Sequence, residues 1–162
     1  MEGIPADARE DEVTEFIDTI MDFYRTLRQI SKEIETSRDR VARQCGLTGA
    51  QLYVFWNVRR LHRCTYTELA KNSGLSANTV SGLVRPLIEK NWLRQSPDPR
   101  DGRITYLEIG NEGSKLVKDV ITTLNLLEPN NLQRTVGVLR EFGPETGAVL
   151  SAVKAALDES AN

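Results

Sequence analysis

The sequence predicts a mainly α-helical fold with one small β-hairpin. Three observations carry this expectation. Apolar residues recur at helical spacing through most of the chain, helix-capping residues recur between positions 48 and 76, and a turn-rich segment at 96–103 lies between two strand-like runs. The 162 residues, 40% hydrophobic and 27% charged, suit one globular domain with appended helices.

Residues 11–44 read as one long helix. Val13, Phe16, Ile20, Phe23, Leu27, Ile30, Ile34 and Val41 recur at alternating steps of three and four. That period favours packing against another long helix. Acidic residues gather at its start, where the helix dipole favours them, and Gly46 is its expected stop. Thr48-Gly49-Ala50-Gln51 fits a capping box, which opens a second helix at Gly49 running to about Leu61, with Leu52, Phe55, Trp56 or Val58, and Leu61 on its apolar face. Thr65-Tyr66-Thr67-Glu68 repeats the device and opens a short helix ending at Asn72-Ser73-Gly74. Ser76 caps a further helix to about Asn91. Residues 92–95 and 104–109 read as the two strands of the hairpin. Asn111 caps a helix to Glu128, which Pro129 interrupts, and 130–142 and 144–159 read as two more, split at Gly143-Pro144.

Several function classes fall away. The longest apolar run, Leu52 to Trp56, is five residues and cannot span a bilayer, so no membrane partner is expected. The opening MEGIPADAREDE has neither a basic region nor an apolar core, so no secretory signal is expected and the location is read as cytoplasmic. Cys45 and Cys64, 19 apart, form neither a disulfide framework nor a metal-binding pair, and His62 is the only histidine. No nucleophile elbow and no phosphate-binding glycine loop is present. The expectation is a non-enzyme with no metal and no cofactor.

The net charge of −2 conceals a strong asymmetry. Residues 1–22 hold eight acids against Arg9 alone, whereas residues 55–103 hold nine bases against four acids. A cationic stretch of this kind binds phosphate even on a mildly acidic chain. Within it, Tyr66–Arg85 has the requirements of a helix-turn-helix: Ala70 where two helices cross, Gly74 where the backbone turns, and Val80 facing back from the second helix, with Leu69, Leu75 and Leu83 around them. If Val80, Leu83, Val84 and Leu87 face inward, Ser76, Ala77, Asn78, Thr79, Ser81, Gly82 and Arg85 face outward. In such a unit the start of the second helix meets base edges in the major groove of double-stranded DNA. Asn78 suits adenine, Arg85 guanine or phosphate, and Ala77 or Thr79 a thymine methyl. An arginine on the hairpin that follows can enter the minor groove. Arg103 fits that role with Asp101 two residues away to hold its side chain, while Arg94 and Arg100 suit phosphate.

Here the sequence resembles the MarR family of winged helix-turn-helix regulators. The carrying residues are Leu47-Thr48 with Gln51, Thr67-Glu68-Leu69-Ala70, Leu75-Ser76, Thr79-Val80-Ser81, Leu83-Val84 with Leu87, and Asp98-Pro99-Arg100-Asp101-Gly102-Arg103. The likeness covers roughly 47–113. It implies a homodimer built by N- and C-terminal helices, with dimerisation segments at 1–46 and 111–162 around a DNA-binding domain at 47–110. It also implies a pseudo-palindromic operator, a repressor, and release by a small, often aromatic ligand or by cysteine oxidation. Arg103 is then the minor-groove arginine and Asp101 its partner. The chain departs from the family pattern at Pro86, inside the recognition helix. A helix-interior proline costs about 3 kcal/mol, so a bend between Gly82 and Pro86 is expected.

For the ligand, Tyr24, Arg28, Tyr53 and Trp56 offer aromatic faces and a cation suited to an aromatic acid. Both cysteines stand near cations, Arg43 and Arg63, a setting that activates thiols. Buried inert cysteine is the favoured reading, and a cysteine-based redox-sensing regulator is the alternative. From another class, the alternative is a winged helix that serves as a protein-interaction module without specific DNA binding.

Overall fold

The computed structural model describes residues 6–127, 140, 141, 147–149 and 151. In chain order the elements are α1 (Ala6–Gln44), α2 (Gly49–Leu61), β1 (Arg63–Thr65), α3 (Tyr66–Ser73), α4 (Ala77–Glu89), β2 (Leu93–Pro97), β3 (Thr105–Ile109) and α5 (Gly113–Leu127). The chain divides into two compact units, 1–120 and 121–162. The expected helices at 130–142 and 144–159 fall almost wholly outside the described residues, as does the break at Pro129. No helix among the described residues is long and apolar enough to cross a membrane.

At 1.5 Å per residue α1 is about 58 Å long, and only its end is buried, through Val41 and Ala42. The helix then stops in a Schellman turn. Gly46 takes the left-handed conformation at φ 71°, its N–H donates to Arg43 O, and the Leu47 N–H donates to Ala42 O at 2.9 Å. Both capping boxes form. Thr48 Oγ1 accepts from the Gln51 N–H while Gln51 Oε1 accepts from the Thr48 N–H. Thr65 and Glu68 do the same at the start of α3, and these hydrogen bonds hold the Glu68 carboxyl below the usual carboxylate range. Gly74 ends α3 in the left-handed conformation at φ 67°.

The sequence reading leaves 62–64 without structure, but Arg63–Thr65 is a strand. It pairs antiparallel with β3, which also pairs with β2, so the sheet order is β1-β3-β2. Three residues carry no period of their own. This strand exists because Cys64 and Leu107, directly opposite one another, are both buried. Helix α4 also ends earlier than expected. Asn91 is left-handed at φ 55°, its N–H donates to Ile88 O, and the Trp92 N–H donates to Leu87 O. This is a second Schellman turn, with asparagine in the place usually taken by glycine. Helix α4 runs unbroken through Pro86, and the carbonyl that proline leaves without a helical partner belongs to exposed Gly82.

The core of the first unit is one cluster. Leu52, Val54, Phe55 and Val58 of α2, Leu69 of α3, Val80, Val84 and Leu87 of α4, and Leu93 and Leu107 of the sheet are all buried. This packing fixes α4 and the β2–β3 hairpin to one scaffold, with the opposite faces of both left in water.

Candidate nucleic-acid interface

On α4 the division of faces is as expected. Val80, Val84 and Leu87 are fully buried and Leu83 half-buried, while Ser76, Ala77, Asn78, Thr79, Ser81, Gly82 and Arg85 are exposed. The Ser76 hydroxyl accepts from the Thr79 N–H at 3.1 Å and lies 2.8 Å from the Thr79 hydroxyl. The helix start is therefore preorganised, with small polar groups at its tip. Arg85 pairs with Glu89 at 3.3 Å, and both side chains are well exposed. Such a pair is worth well under about 1 kcal/mol, so the guanidinium is easily given up to a phosphate or a base.

The wing turn between β2 and β3 is tightly hydrogen-bonded. Asp98 Oδ1 accepts from the N–H groups of Arg100 at 2.7 Å and Asp101 at 3.1 Å. The Asp98 N–H donates to Ile104 O, and the Ile104 N–H donates to Asp101 O, both at 2.9 Å. These backbone donors hold the Asp98 carboxyl below its ordinary range. Asp101 acts differently from the expectation. Its carboxylate accepts from the Arg103 backbone N–H at 3.0 Å, so it shapes the turn that carries Arg103. Arg100 and Arg103 are exposed, and neither guanidinium enters an ion pair among the described residues.

Arg94 is more committed. Its guanidinium pairs with Glu108 at 2.8 Å. Glu108 also takes Arg63 at 3.1 Å and the Ser96 hydroxyl at 3.1 Å, so one half-buried carboxylate on the central strand joins all three strands. The Arg63 guanidinium also lies 3.8 Å from the centre of the Tyr106 ring. Sequence reasoning missed Arg63, Asp98, Tyr106 and Glu108. Asp98 was findable, because Asp-Pro at the head of a tight turn is a known cap for the following N–H groups. The other three act through cross-strand pairing with β1, which the sequence did not reveal.

The four ligand candidates are not brought together within one chain. Tyr24 and Arg28 neighbour each other on the exposed part of α1. Tyr53 lies on α2, its hydroxyl donating to Ser73 O and its ring near Arg38, and Trp56 stacks with Arg59. Tyr24 precedes Arg38 by fourteen residues, about 21 Å along the helix. Among the described residues no three His, Cys, Asp or Glu side chains gather into a metal site. Cys64 is 1% exposed, and burial, with Glu68 nearby, pushes its thiol up to about 11. This agrees with the favoured reading of a buried, inert thiol at Cys64: desolvation outweighs the nearby Arg63 cation, which is engaged with Glu108 and the Tyr106 ring.

Residues 46–104 match the model of the MarR family. No curated protein sequence matches the chain. Among solved structures, a mutant of S. aureus MepR bound to oligodeoxyribonucleotide is 24% identical, with a TM-score of 0.54 over 83% of this chain and 97% of that one. A mutant of E. coli MarR complexed with operator DNA is 18% identical, with a TM-score of 0.61 over 80% and 96% of the two chains. A transcriptional regulator from Thermotoga maritima is 25% identical, with a TM-score of 0.54 over 83% and 98%. The matched segment spans the helix-turn-helix and most of the wing, and the shared fold extends well beyond it. Over residues 46–104 the chain is similar to the MarR family, and the described residues share the winged helix-turn-helix fold of the solved MarR structures.

Proposed function

We propose that this protein is a homodimeric, sequence-specific reader of double-stranded DNA that represses transcription and leaves its operator when a small ligand binds. The carrying observation is the pairing of two exposed features on one scaffold: the preorganised polar start of α4 and a hydrogen-bonded wing bearing two exposed arginines. In this reading Ser76, Ala77, Asn78, Thr79, Ser81 and Arg85 meet the major groove, Arg103 enters the minor groove with Asp101 shaping its turn, and Arg100 and Arg94 meet phosphate. The DNA-bound structures of MepR and MarR support it by likeness of fold.

The exposed apolar residues of α1, from Val13 and Phe16 through Leu27 and Ile30 to Ile34, call for a second copy. Two copies present two recognition helices, which a pseudo-palindromic operator matches. Residues 1–46 and 111–162 then serve dimerisation and 47–110 DNA binding. For an aromatic acid to sit among Tyr24, Arg28, Tyr53 and Trp56, α1 of one copy must lie along α2 of the other. A ligand held there would favour dimers whose recognition helices are spaced wrongly for DNA.

Fluorescence anisotropy of a labelled operator duplex, selected from genomic fragments, tests the reading. Affinity should fall with salt at a log–log slope of about −0.9 per phosphate neutralised, and Asn78→Ala should relax sequence preference. Equal, salt-insensitive affinity for every duplex would refute it and leave a protein-interaction module.

A further inference from the structure

Arg63 lies in the basic stretch and is nearly half exposed, so by position it reads as one more phosphate ligand. Its geometry is different. The guanidinium is held from two sides, by Glu108 at 3.1 Å and by the Tyr106 ring at 3.8 Å, both on the central strand β3. Cross-strand register explains the arrangement. Arg63, Glu108 and Arg94 are direct neighbours across the sheet, as are Thr65, Tyr106 and Ser96 one step further toward the wing. The Arg63 side chain therefore reaches diagonally from β1 toward the wing end of β3.

We propose that Arg63 and Tyr106 are positioning residues for the wing: the guanidinium braces the Tyr106 ring over the sheet, and the ring braces the turn that presents Arg103. Tyr106 stands one residue from Thr105, the last pair of the hairpin being Pro97 with Thr105, and its hydroxyl faces the Asp98 carboxylate that caps the turn. That proximity raises the tyrosine pKa and lowers that of the acid, and the Arg63 charge lowers the acid further. The wing is thus tied to β1, and so to α2 and α3, by side chains that need not touch DNA. A planar guanidinium can stack on the Tyr106 ring while its N–H groups hold Glu108, a two-sided contact that the compact ammonium of lysine reproduces less well. The proposal rests on the DNA-binding reading above only for its consequence, not for the brace itself.

Two measurements on the full chain test it. In the free protein, Arg63→Gln, Arg63→Lys and Tyr106→Leu should each speed hydrogen exchange of the Arg100, Asp101 and Ile104 amides by about fivefold, the worth of one modest interaction. In duplex titrations each should weaken binding by about three- to tenfold while the salt slope stays at the wild-type value. Arg100→Ala, the reference phosphate contact, should flatten the slope by about 0.9. In an Arg103→Ala background the Arg63 substitution should have little further effect, because its action runs through the wing. Unchanged amide exchange would overturn the brace. So would a flattened slope in Arg63→Gln restored by Arg63→Lys, which identifies a phosphate ligand. Tyr106→Leu removes the ring and leaves both charges, so it serves if the arginine variants do not fold. Absence of salt-dependent duplex binding by the wild type would overturn the DNA-binding reading instead, and exchange would still decide the brace.

Discussion

Single atoms decide several positions here. A Cβ added at Gly49 would fall onto the Asp39 carboxylate, which approaches the start of α2 from the end of α1. That carboxylate is the half-exposed end of a short side chain and can turn aside, so Gly49→Ala should leave stability within about 1 kcal/mol of wild type, read as a nearly unchanged urea midpoint. Gly82 has open space around its Cα, and Gly82→Ala should stabilise α4 by up to about 1 kcal/mol. The same methyl lies on the exposed face proposed for DNA, so the more stable variant should bind operator with altered affinity. Cys64 gives a prediction in pH. Burial pushes its folded thiol up to about 11 from an ordinary 9.0, so the folded state holds the proton more tightly than the unfolded chain. The stability this provides is complete below pH 9 and is lost as pH rises toward 11. A urea midpoint that falls over that window in the wild type, and falls less in Cys64→Ala, would show it. The same shift predicts slow alkylation of Cys64 at pH 8 in the native state, because the thiolate is scarce.

At the scale of elements, what the sequence shows depends on where the determinants lie. Thr48 with Gln51 and Thr65 with Glu68 announce their helices because both partners of each bond lie within four residues. Thr48→Ala and Thr65→Ala should each cost about 1 kcal/mol, measurable by thermal melting. Acidification should weaken the second box, since the Glu68 carboxyl is held low by bonds that only its charged form accepts fully, and stability is lost as pH falls through that lowered pKa. The α4 residues facing outward were equally legible, because inward Val80, Val84 and Leu87 follow one helical face. Strand β1 was not, since its partner β3 lies more than forty residues away and its three residues carry no alternation. The brace of Arg63, Tyr106 and Glu108 was hidden for the same reason. Asn91 misled the end of α4 because an asparagine in the left-handed conformation looks, in sequence, like any polar residue late in a helix.

At the scale of the whole molecule, α1 poses the main question, because a helix of 39 residues with most of its apolar side chains in water is not stable alone. Its charges indicate how a second copy should lie. Residues 10–22 hold six acids and no base, whereas residues 25–43 hold six bases and three acids. Two parallel copies would set acid against acid. Two antiparallel copies crossing near Leu27, the middle of the apolar stripe, set Asp11 and Glu15 beside Arg43, Arg40 and Arg38 of the other helix. Orientation is then fixed by charge and affinity by the stripe. Leu27→Asp removes one large apolar contact from each copy. Each loss is worth about 2 kcal/mol, and a two-fold axis doubles it, so the variant's dimer dissociation constant should rise by about a thousandfold. Sedimentation velocity should show a dimer for the wild type and a monomer for Leu27→Asp at micromolar protein. A monomer in both would remove the second copy from the account. Since one winged domain reads only a half-site, the Leu27→Asp monomer should also lose operator affinity while Ser76, Asn78 and Arg103, far from the substitution, keep their wild-type exchange and stability.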